Sequence, residues 1–561
     1  MKALQCTMAM LAITLMGHSQ VSLDGHAVIY DSRQNRFLCP MPAHKFGTDQ
    51  AVPVTVTSER WSGVEVDGTP ITAPDTRVTM TALDGVTPHT LTATVDGQRQ
   101  SYTLLLTSLP VLEVNAELSK DYRPATLALH HPDSSEVMSL QGRIKWRGHS
   151  TLSANRHKRN FHIKLEDEHG DKLDVKLLGM RSDNSWMLDG GQTDLSRIRN
   201  YVAHELWLDM AAKPYYADRE PKARSGSRGE LIELLVNGQY EGIYTLMEAM
   251  DRKQLKLTKY ETDSAGVCTI HGQLWKANDY TSGTTFSATS EANDSLEQWY
   301  GFDTKYPDID EVWPTDYSVL TQAVNFAVTA YDYLWRRKAG NYFDLPVLRD
   351  YTILLQTLLA IDNAAKNIYW ATYDSQVDHK LTLAIWDMDC TVGQDWTNTP
   401  FRPQDRVGPE IDWKISNNVL GRLNLLIADF RQGLIDRYWE LRRGPLHTDS
   451  LIHRYHSKID LLIAAGAAAR ESERWSGDSD LGGHELDWEA EKQYIADWFT
   501  RRMRHLDITR FATAGIDDPV SDTNNELPTG TYNLLGIKMS DTQPLPPGIY
   551  VRNGKKIAIV E

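Results

Sequence analysis

Apolar and polar positions alternate through the first hundred residues. VPVTVTSERW, TRVTMTALDG, HTLTATVDG and SYTLLLTSL recur at short intervals with Asp-Gly turns between them. A period of two, bounded by such turns, predicts strands. Their run from Val21 to Val111 predicts a small, immunoglobulin-like β-sandwich. Leu109-Pro110 marks its end, and a strand–turn–strand follows, Gly142–Ser150 with Lys158–Leu165. There Phe161, Ile163 and Leu165 share one face, while His162 and Lys164 share the other. Leu195, Ile198, Val202 and Leu206 follow helical spacing behind Asp194 or Ser196 as a cap. Leu231–Glu248 reads as a hairpin turning at Asn237-Gly238. Residues 277–345 are polar and weakly periodic, and read as an insertion over a groove. Tyr351–Ile361, Phe430–Leu441, Leu451–Ala464 and Trp488–Leu506 are helical, with Ser472–Gly483 a loop. The chain thus divides into a leader (1–19), a sandwich (20–111), a large α+β domain (112–512), a linker (513–528) and a β tail (529–561).

The chemistry concentrates between Ile361 and Gly393. Asn367–Tyr373 and Leu381–Trp386 are strand-like runs separated by a polar turn, hence a hairpin. Folded about Val377, it pairs position 367 with 387 at about 5 Å between Cβ atoms. Asp362 precedes the first strand, and Asp387 and Asp389 end the second. Three carboxylates and an amide oxygen at one hairpin mouth repel unless a cation or proton intervenes, and such hard ligands suit Mg²⁺ or Mn²⁺. Asp362-x4-Asn367 has the spacing of a kinase catalytic loop, where Asp receives the hydroxyl proton and Asn binds metal; Asp387 stands where a metal-binding Asp follows. Read alone, Asp387-x-Asp389 is more often an ordinary turn at a strand end. Lys164 or Lys158 on the strand can fix phosphates, or simply face solvent. Glu205 can pair with that lysine or lie solvated on its helix. Glu248 and Asp251 occupy either a hinge beside adenine or a surface turn.

Composition narrows the partners. A net charge of −16 without Lys/Arg runs argues against nucleic acid. Met1–Met16 reads as a signal peptide with Gly17 and Ser19 before the cut, or as a buried N-terminal helix. No other apolar stretch has spanning length, so no integral membrane segment is expected after its removal. Cys39, Cys268 and Cys390 are too few for a disulfide framework, and Cys390 reads as buried filler.

Several ordered segments carry a resemblance. They are Arg147-Gly-His-Ser150, Lys158-x-x-Phe-x-x-Lys164-Leu, Leu177-Leu-Gly-Met and Trp186 followed by Asp194-x-Ser-x-x-Arg-Asn200. They continue with Asn237-Gly-x-Tyr-x-Gly-x-Tyr-x-Leu-x-Glu248, Leu274-Trp-Lys276, Asp362-x4-Asn367, Trp386-Asp-Met-Asp-x3-Gly393 and a late helix with Trp498 and Arg501-Arg502. Over roughly 112–510 the chain resembles the CotH kinase family. The resemblance implies an atypical protein-kinase fold and transfer from ATP to Ser/Thr of secreted or coat proteins with a divalent metal. It implies Asp362 as the catalytic residue, with Asn367 and Asp387 as metal ligands and Asp389 a second metal or structural carboxylate. ATP-binding candidates are Lys164, Lys158, Arg147, Glu205 and Glu248. Val392 stands where the family usually has an aromatic, so local packing is expected to differ. The tail, Tyr532-Asn-Leu-Leu-Gly and then Gly548-Ile-Tyr to Asn553-Gly-Lys-Lys, is similar to a Por (type IX) sorting signal. With the leader it implies secretion machinery as a partner and a secreted or cell-surface location. The alternative is a cell-surface binding or adhesion protein with an inactive kinase-like domain. A glycosidase pair is a third reading, but Asp387 and Asp389 are close together and Asn367 has no role in it.

Overall fold

The computed structural model describes residues 21–57, 61–81, 83–148, 150–395 and 417–512, with 531–533, 539, 545, 548–552 and 555–559 of the tail. The expected leader and the linker at 513–528 lie outside them.

The alternating N-terminal stretch forms two sheets. One runs His26–Ala27, Val21–Leu23, Gln50–Val56, Thr76–Met80, and the other Ile29–Asp31, Arg36–Pro40, Gln98–Thr107, His89–Val95, Trp61–Val66, Thr69–Pro70. Val21, Val54 and Val78 of the first join Phe37, Trp61 and Leu104 of the second in one apolar cluster. Alternation is clean because each sheet buries one face.

The next seven strands close a barrel. They are β1 (Val111–Ala116), β2 (Arg123–His130), β3 (Val137–Arg147), β4 (Asn160–Glu166), β5 (Ser185–Asp189), β6 (Gly229–Val236) and β7 (Gln239–Glu248). Neighbours are antiparallel except β1 and β6, which pair in parallel from Val111 opposite Glu233 to Val114 opposite Val236. That closure joins segments far apart in sequence, which no local pattern reveals. The Asn237-Gly238 turn holds, with φ of +50° and +69°. Ile144, Ile163, Leu165, Trp186 and Leu246 fill the interior, so Lys145, His162 and Lys164 belong to the opposite face of β3 and β4.

Helix α1 (Arg199–Met210) leaves the barrel after β5. It begins later than the spacing predicts, because the Asp194 carboxylate takes the N–H of Ser196 and of Arg199 and holds 194–198 as a turn. The second sheet contains β8 (Gln273–Ala277), β9 (Phe302–Tyr306), β10 (Ile368–Thr372) and β11 (Thr382–Ile385), with Gln298–Trp299 on the β9 edge. Around it pack α2 (Ser318–Thr329), α3 (Asp332–Tyr342), α4 (Leu345–Leu358), α5 (Asn418–Leu426), α6 (Ala428–Arg442), α7 (Thr448–Ala464), α8 (Ala467–Trp475) and α9 (Trp488–Ile508). Residues 277–345 are therefore no insertion. They supply β9, α2 and α3, and Phe302, Leu320, Phe326 and Trp335 sit in the main core. The expected loop at 472–483 also begins as helix, since α8 runs to Trp475. Tail segments Thr531–Asn533, Gly548–Arg552 and Lys555–Ile559 pair as a small antiparallel sheet.

Buried charge joins these parts. Arg470 of α8 is 3% exposed and meets fully buried Glu233 of β6 at 2.6 and 3.0 Å. The same guanidinium donates to the Gly85 carbonyl of the N-terminal module at 3.0 Å. Neighbouring Glu473 pairs with Arg36 at 2.6 Å, and Arg36 pairs with Asp31. At this contact Gly85 and Gly466 approach backbone to backbone, and a Cβ on Gly466 would lie 1.7 Å from the Gly85 carbonyl oxygen. Gly466 also has a φ of +69°, which a β-branched residue resists. The N-terminal module is docked on the barrel and α8 rather than hung from them.

Gly466→Val should therefore destabilise the protein by about 3 kcal/mol, the upper range for overpacking. Gly421→Ala on α5, where an added Cβ meets nothing within 4 Å, should instead gain up to about 1 kcal/mol. Urea unfolding of both variants checks this; equal midpoints would contradict the close contact.

Candidate functional site

The hairpin forms, one residue out of the expected register. Ile368 opposes Ile385, so Asn367 aligns with Trp386 rather than Asp387. Asn367 and Asp387 both have φ of +56°, so neither continues its strand. Period-two logic places faces only within a strand, and these two residues lie just outside it. The Asn367 N–H donates to the Ala277 carbonyl of β8 at 2.9 Å, while its side-chain Nδ2 donates to Asp362 Oδ2 at 3.0 Å. Lys366 Nζ approaches the same Oδ2 at 3.1 Å. Asn363 Nδ2 donates to the Trp386 carbonyl at 2.8 Å and ties the Asp362 loop to the end of β11.

Asp387 and Asp389 are joined by a carboxylate that the sequence reading missed. Asp189, the last residue of β5, accepts from Asn200 Nδ2 at 2.5 Å and from the Gly191 N–H at 3.1 Å. Asn200 Oδ1 takes the Met388 N–H at 2.9 Å, so one α1 side chain positions both Asp189 and the 387–389 turn. Burial, then repulsion from Asp387, Asp189 and Asp362, pushes the Asp389 carboxyl well above its ordinary range. Burial likewise raises Asp189 and Asp362, partly offset by Asn200 and by Lys366 respectively. Cys390 is buried, as expected. Behind it, β-branched Val392 sits at φ +52°, held by its N–H on the Leu358 carbonyl at 2.8 Å. Arg199, bridging Asp194 and Glu491, also reaches the Thr391 carbonyl at 3.1 Å. Gly393 must lack a side chain, since its Cβ would meet the Tyr494 hydroxyl at 2.0 Å.

A divalent cation fits part of this arrangement. Among the described residues no three His, Cys, Asp or Glu side chains form a preassembled metal cage. Mg²⁺ needs none, since it usually takes one or two carboxylates and keeps waters and substrate phosphates. Asn367 spends its Nδ2 on Asp362 and leaves Oδ1 for a cation. Asp387 accepts no hydrogen bond at its carboxylate from the described residues. The donor set, an amide oxygen and carboxylates, suits Mg²⁺ or Mn²⁺.

Facing the acids is a basic set. Arg147 stacks over Trp386, 5.2 Å from the ring centroid. Lys276 of β8 is attracted by Asp387 and opposed by Arg147 and Lys305, but burial dominates and lowers its pKa to about 8. Lys145 is lowered by burial and by Lys164 and Lys305. Lys164 lies 5.0 Å from the Tyr122 ring centroid, and His162 between them is lowered by burial and by Arg147, Lys164 and Lys145 to about 3. Lys145, Arg147 and Lys164 come from the barrel, Lys276 and Lys305 from the second sheet. Lys305 pairs with Asp303, but Lys145, Arg147, Lys164 and Lys276 have no carboxylate partner among the described residues; cations this close are costly, and they form an anion-accepting face. Lys276 stood in the Leu274-Trp-Lys segment, and Asn200 in Asp194-x-Ser-x-x-Arg-Asn, but neither spacing showed which groups they would meet.

Three other candidates are engaged elsewhere. Lys158 is 1% exposed, donates to Glu471 of α8 at 2.5 Å and to the Ile243 carbonyl at 2.9 Å, and burial lowers its pKa to about 7. It cannot reach a nucleotide while so enclosed. Glu205 pairs with Lys458 of α7 at 3.0 Å instead of a strand lysine, because with Tyr201 it lies on the α7-facing side of α1. Glu248 ends β7, but its carboxylate is fully buried. Burial opposes its ionisation, yet the Arg181 and Arg228 N–H groups and Arg224 hold it below its usual range.

Comparison with known families agrees with the ordered motifs: a family model described as CotH kinase protein matches residues 144–506. No curated protein matches the chain.

Trp386 rests edge-on against His204, whose Nδ1 accepts the Ser227 N–H at 3.1 Å. His204 is 1% exposed, and burial lowers its pKa from 6.5 to about 3. Between those values the unfolded chain binds the extra proton. The stability this histidine contributes is therefore full above its unfolded value and is lost as pH falls, at up to about 1.4 kcal/mol per pH unit. Urea unfolding should show a shallower loss between neutral pH and about pH 5 in His204→Asn than in the wild type. Equal slopes would mean His204 is not held neutral.

Proposed function

The chain belongs to the CotH kinase family, and from that premise we propose that it transfers the γ-phosphoryl group of ATP to Ser or Thr hydroxyls of protein substrates with Mg²⁺ or Mn²⁺. The carrying observation is the juxtaposition of Asp362, Asn367, Asp387 and Asp389 with Arg147, Lys145, Lys164 and Lys276, cations that pair with no carboxylate among the described residues. Phosphates lie against the cations, with Lys276 and Lys164 as the first contacts. Asn367 and Asp387 hold the metal, Asp389 beside them, and when bound it neutralises charge on the phosphates. The acceptor hydroxyl oxygen attacks the γ-phosphorus. An O–P bond forms as the bond to the β,γ-bridging oxygen breaks, ADP leaves with the electron pair, and the hydroxyl proton passes to Asp362. Positioning and electrostatic stabilisation supply most of the acceleration in such a transfer.

The two-sheet N-terminal module is an immunoglobulin-like domain in this reading. The apolar leader and Por-like tail make the protein a client of secretion machinery, located outside the cell or on its surface. Among the described residues no helix is long and apolar enough to cross a membrane. The second reading is a surface binding or adhesion protein with an inactive kinase-like domain.

Calorimetry of the full chain with Mg²⁺-ATP or Mn²⁺-ATP separates the two. Asp387→Ala should weaken metal-dependent binding at least about 100-fold. Asp362→Ala should bind as the wild type does but transfer ~10²–10⁴-fold more slowly. Affinity should fall as pH rises through about 8, where Lys276 loses its charge, and Lys276→Met should abolish that step. Absence of binding with every nucleotide and metal would leave the binding-protein reading.

A further inference from the structure

Asp362 is gripped from one side. Asn367 Nδ2 and Lys366 Nζ both contact Oδ2, at 3.0 and 3.1 Å. Among the described residues these are the hydrogen-bond and ion-pair partners of the carboxylate, so Oδ1 is left without one. Two donors on one oxygen fix the rotation of a carboxylate and select the other oxygen to accept an incoming proton. Asn367 comes from the residue that turns into β10 with its N–H anchored on β8, so its position is set by the sheet. Lys366 comes from the loop between Asp362 and β10, on a side chain 29% exposed, with Asp387 as a second attracting charge. No ion-pair contact between Lys366 and Asp387 accompanies this longer-range attraction.

We propose that Lys366 is a positioning residue. It locks Asp362 so that Oδ1 faces the acceptor hydroxyl, and it holds one positive charge on the proton acceptor and within the field of Asp387. The proposal rests on the phosphotransfer reading and deepens it, since neither the hairpin pattern nor the ordered motifs single out Lys366. Its geometry also makes a statement about the cation site that does not require turnover. A positive charge attracted by Asp387 weakens cation binding there, because like charges repel across a short, partly desolvated gap.

The test uses the full chain with Lys366→Met and Lys366→Arg, read by steady-state transfer from Mg²⁺-ATP and by Mn²⁺ binding in electron paramagnetic resonance. In Lys366→Met, kcat should fall ~10²-fold, the cost of a misaimed group, with KM for Mg²⁺-ATP within about threefold of the wild type. Lys366→Arg, which keeps the charge, should recover most of the loss. Mn²⁺ affinity of Lys366→Met should rise severalfold while transfer slows, a divergence that a merely misfolded variant cannot produce. Unchanged kcat in Lys366→Met, or kcat and Mn²⁺ affinity falling together, overturns the assignment. If the wild type itself transfers nothing, the phosphotransfer reading fails; Mn²⁺ affinity then decides the charge placement alone, and an unaltered value in Lys366→Met overturns that as well.

Discussion

Glu471 is the group on which the arrangement of parts depends. It is fully buried on α8, and isolated there its charge would cost several kcal/mol. Lys158 and Arg197 both meet its Oε1, at 2.5 and 2.7 Å, and the Ile243 N–H meets Oε2 at 2.7 Å. These partners come from the strand entry at β4, the turn before α1 and the strand β7. None can shift without stranding a buried charge. Arg197 in turn holds the Gly191 and Gln192 carbonyls, just after Asp189. Two residues on, Arg199 braces Thr391 against Asp194 and Glu491. The frame that orders the barrel thus continues, through Arg197 and Arg199, to both sides of the acidic turn.

The site itself is built with its charges divided. Acids gather where the second sheet ends, cations where the barrel faces it, and Trp386 with Arg147 forms the seam. Each half disfavours itself: burial and mutual repulsion raise Asp389, and burial with neighbouring cations lowers Lys145. A ligand carrying both a polyanion and a divalent cation relieves both halves at once, whereas either ion alone relieves one. Such a division favours a polyanion that arrives with its own divalent cation, and it does not require a preformed cage.

Much of this was legible in sequence and some was not, for identifiable reasons. Asp362 and Asn367 were found because their meeting is local, five residues apart across one turn. Their register with Asp387 came out one residue off, since two left-handed residues at the strand ends escape a period-two argument. Lys158 stood as the second choice after Lys164 because strand position says nothing about a carboxylate 313 residues away. Glu205 failed for the same reason, its partner being Lys458 on α7. Residues 277–345 read as an insertion because short strands and mixed helices leave little periodicity, yet Trp335 and Phe302 are core. Asp189 carried no signal, and Asn200 only its place in the Asp194-x-Ser-x-x-Arg-Asn segment, until β5 and α1 were brought beside the 387–389 turn.

The contact between Gly85 and Gly466 has a bearing on how such a chain can be assembled from pieces. Two backbones touching with no side chains between them leave no room for adjustment by exchange of residues. The N-terminal module is therefore not an interchangeable cassette, even though it has its own core. A recombined chain carrying a different module would have to bring the same bare backbone and the same free carbonyl for Arg470, or find that α8 no longer seats. The modularity that the strand pattern suggests in one dimension is withdrawn at this point in three.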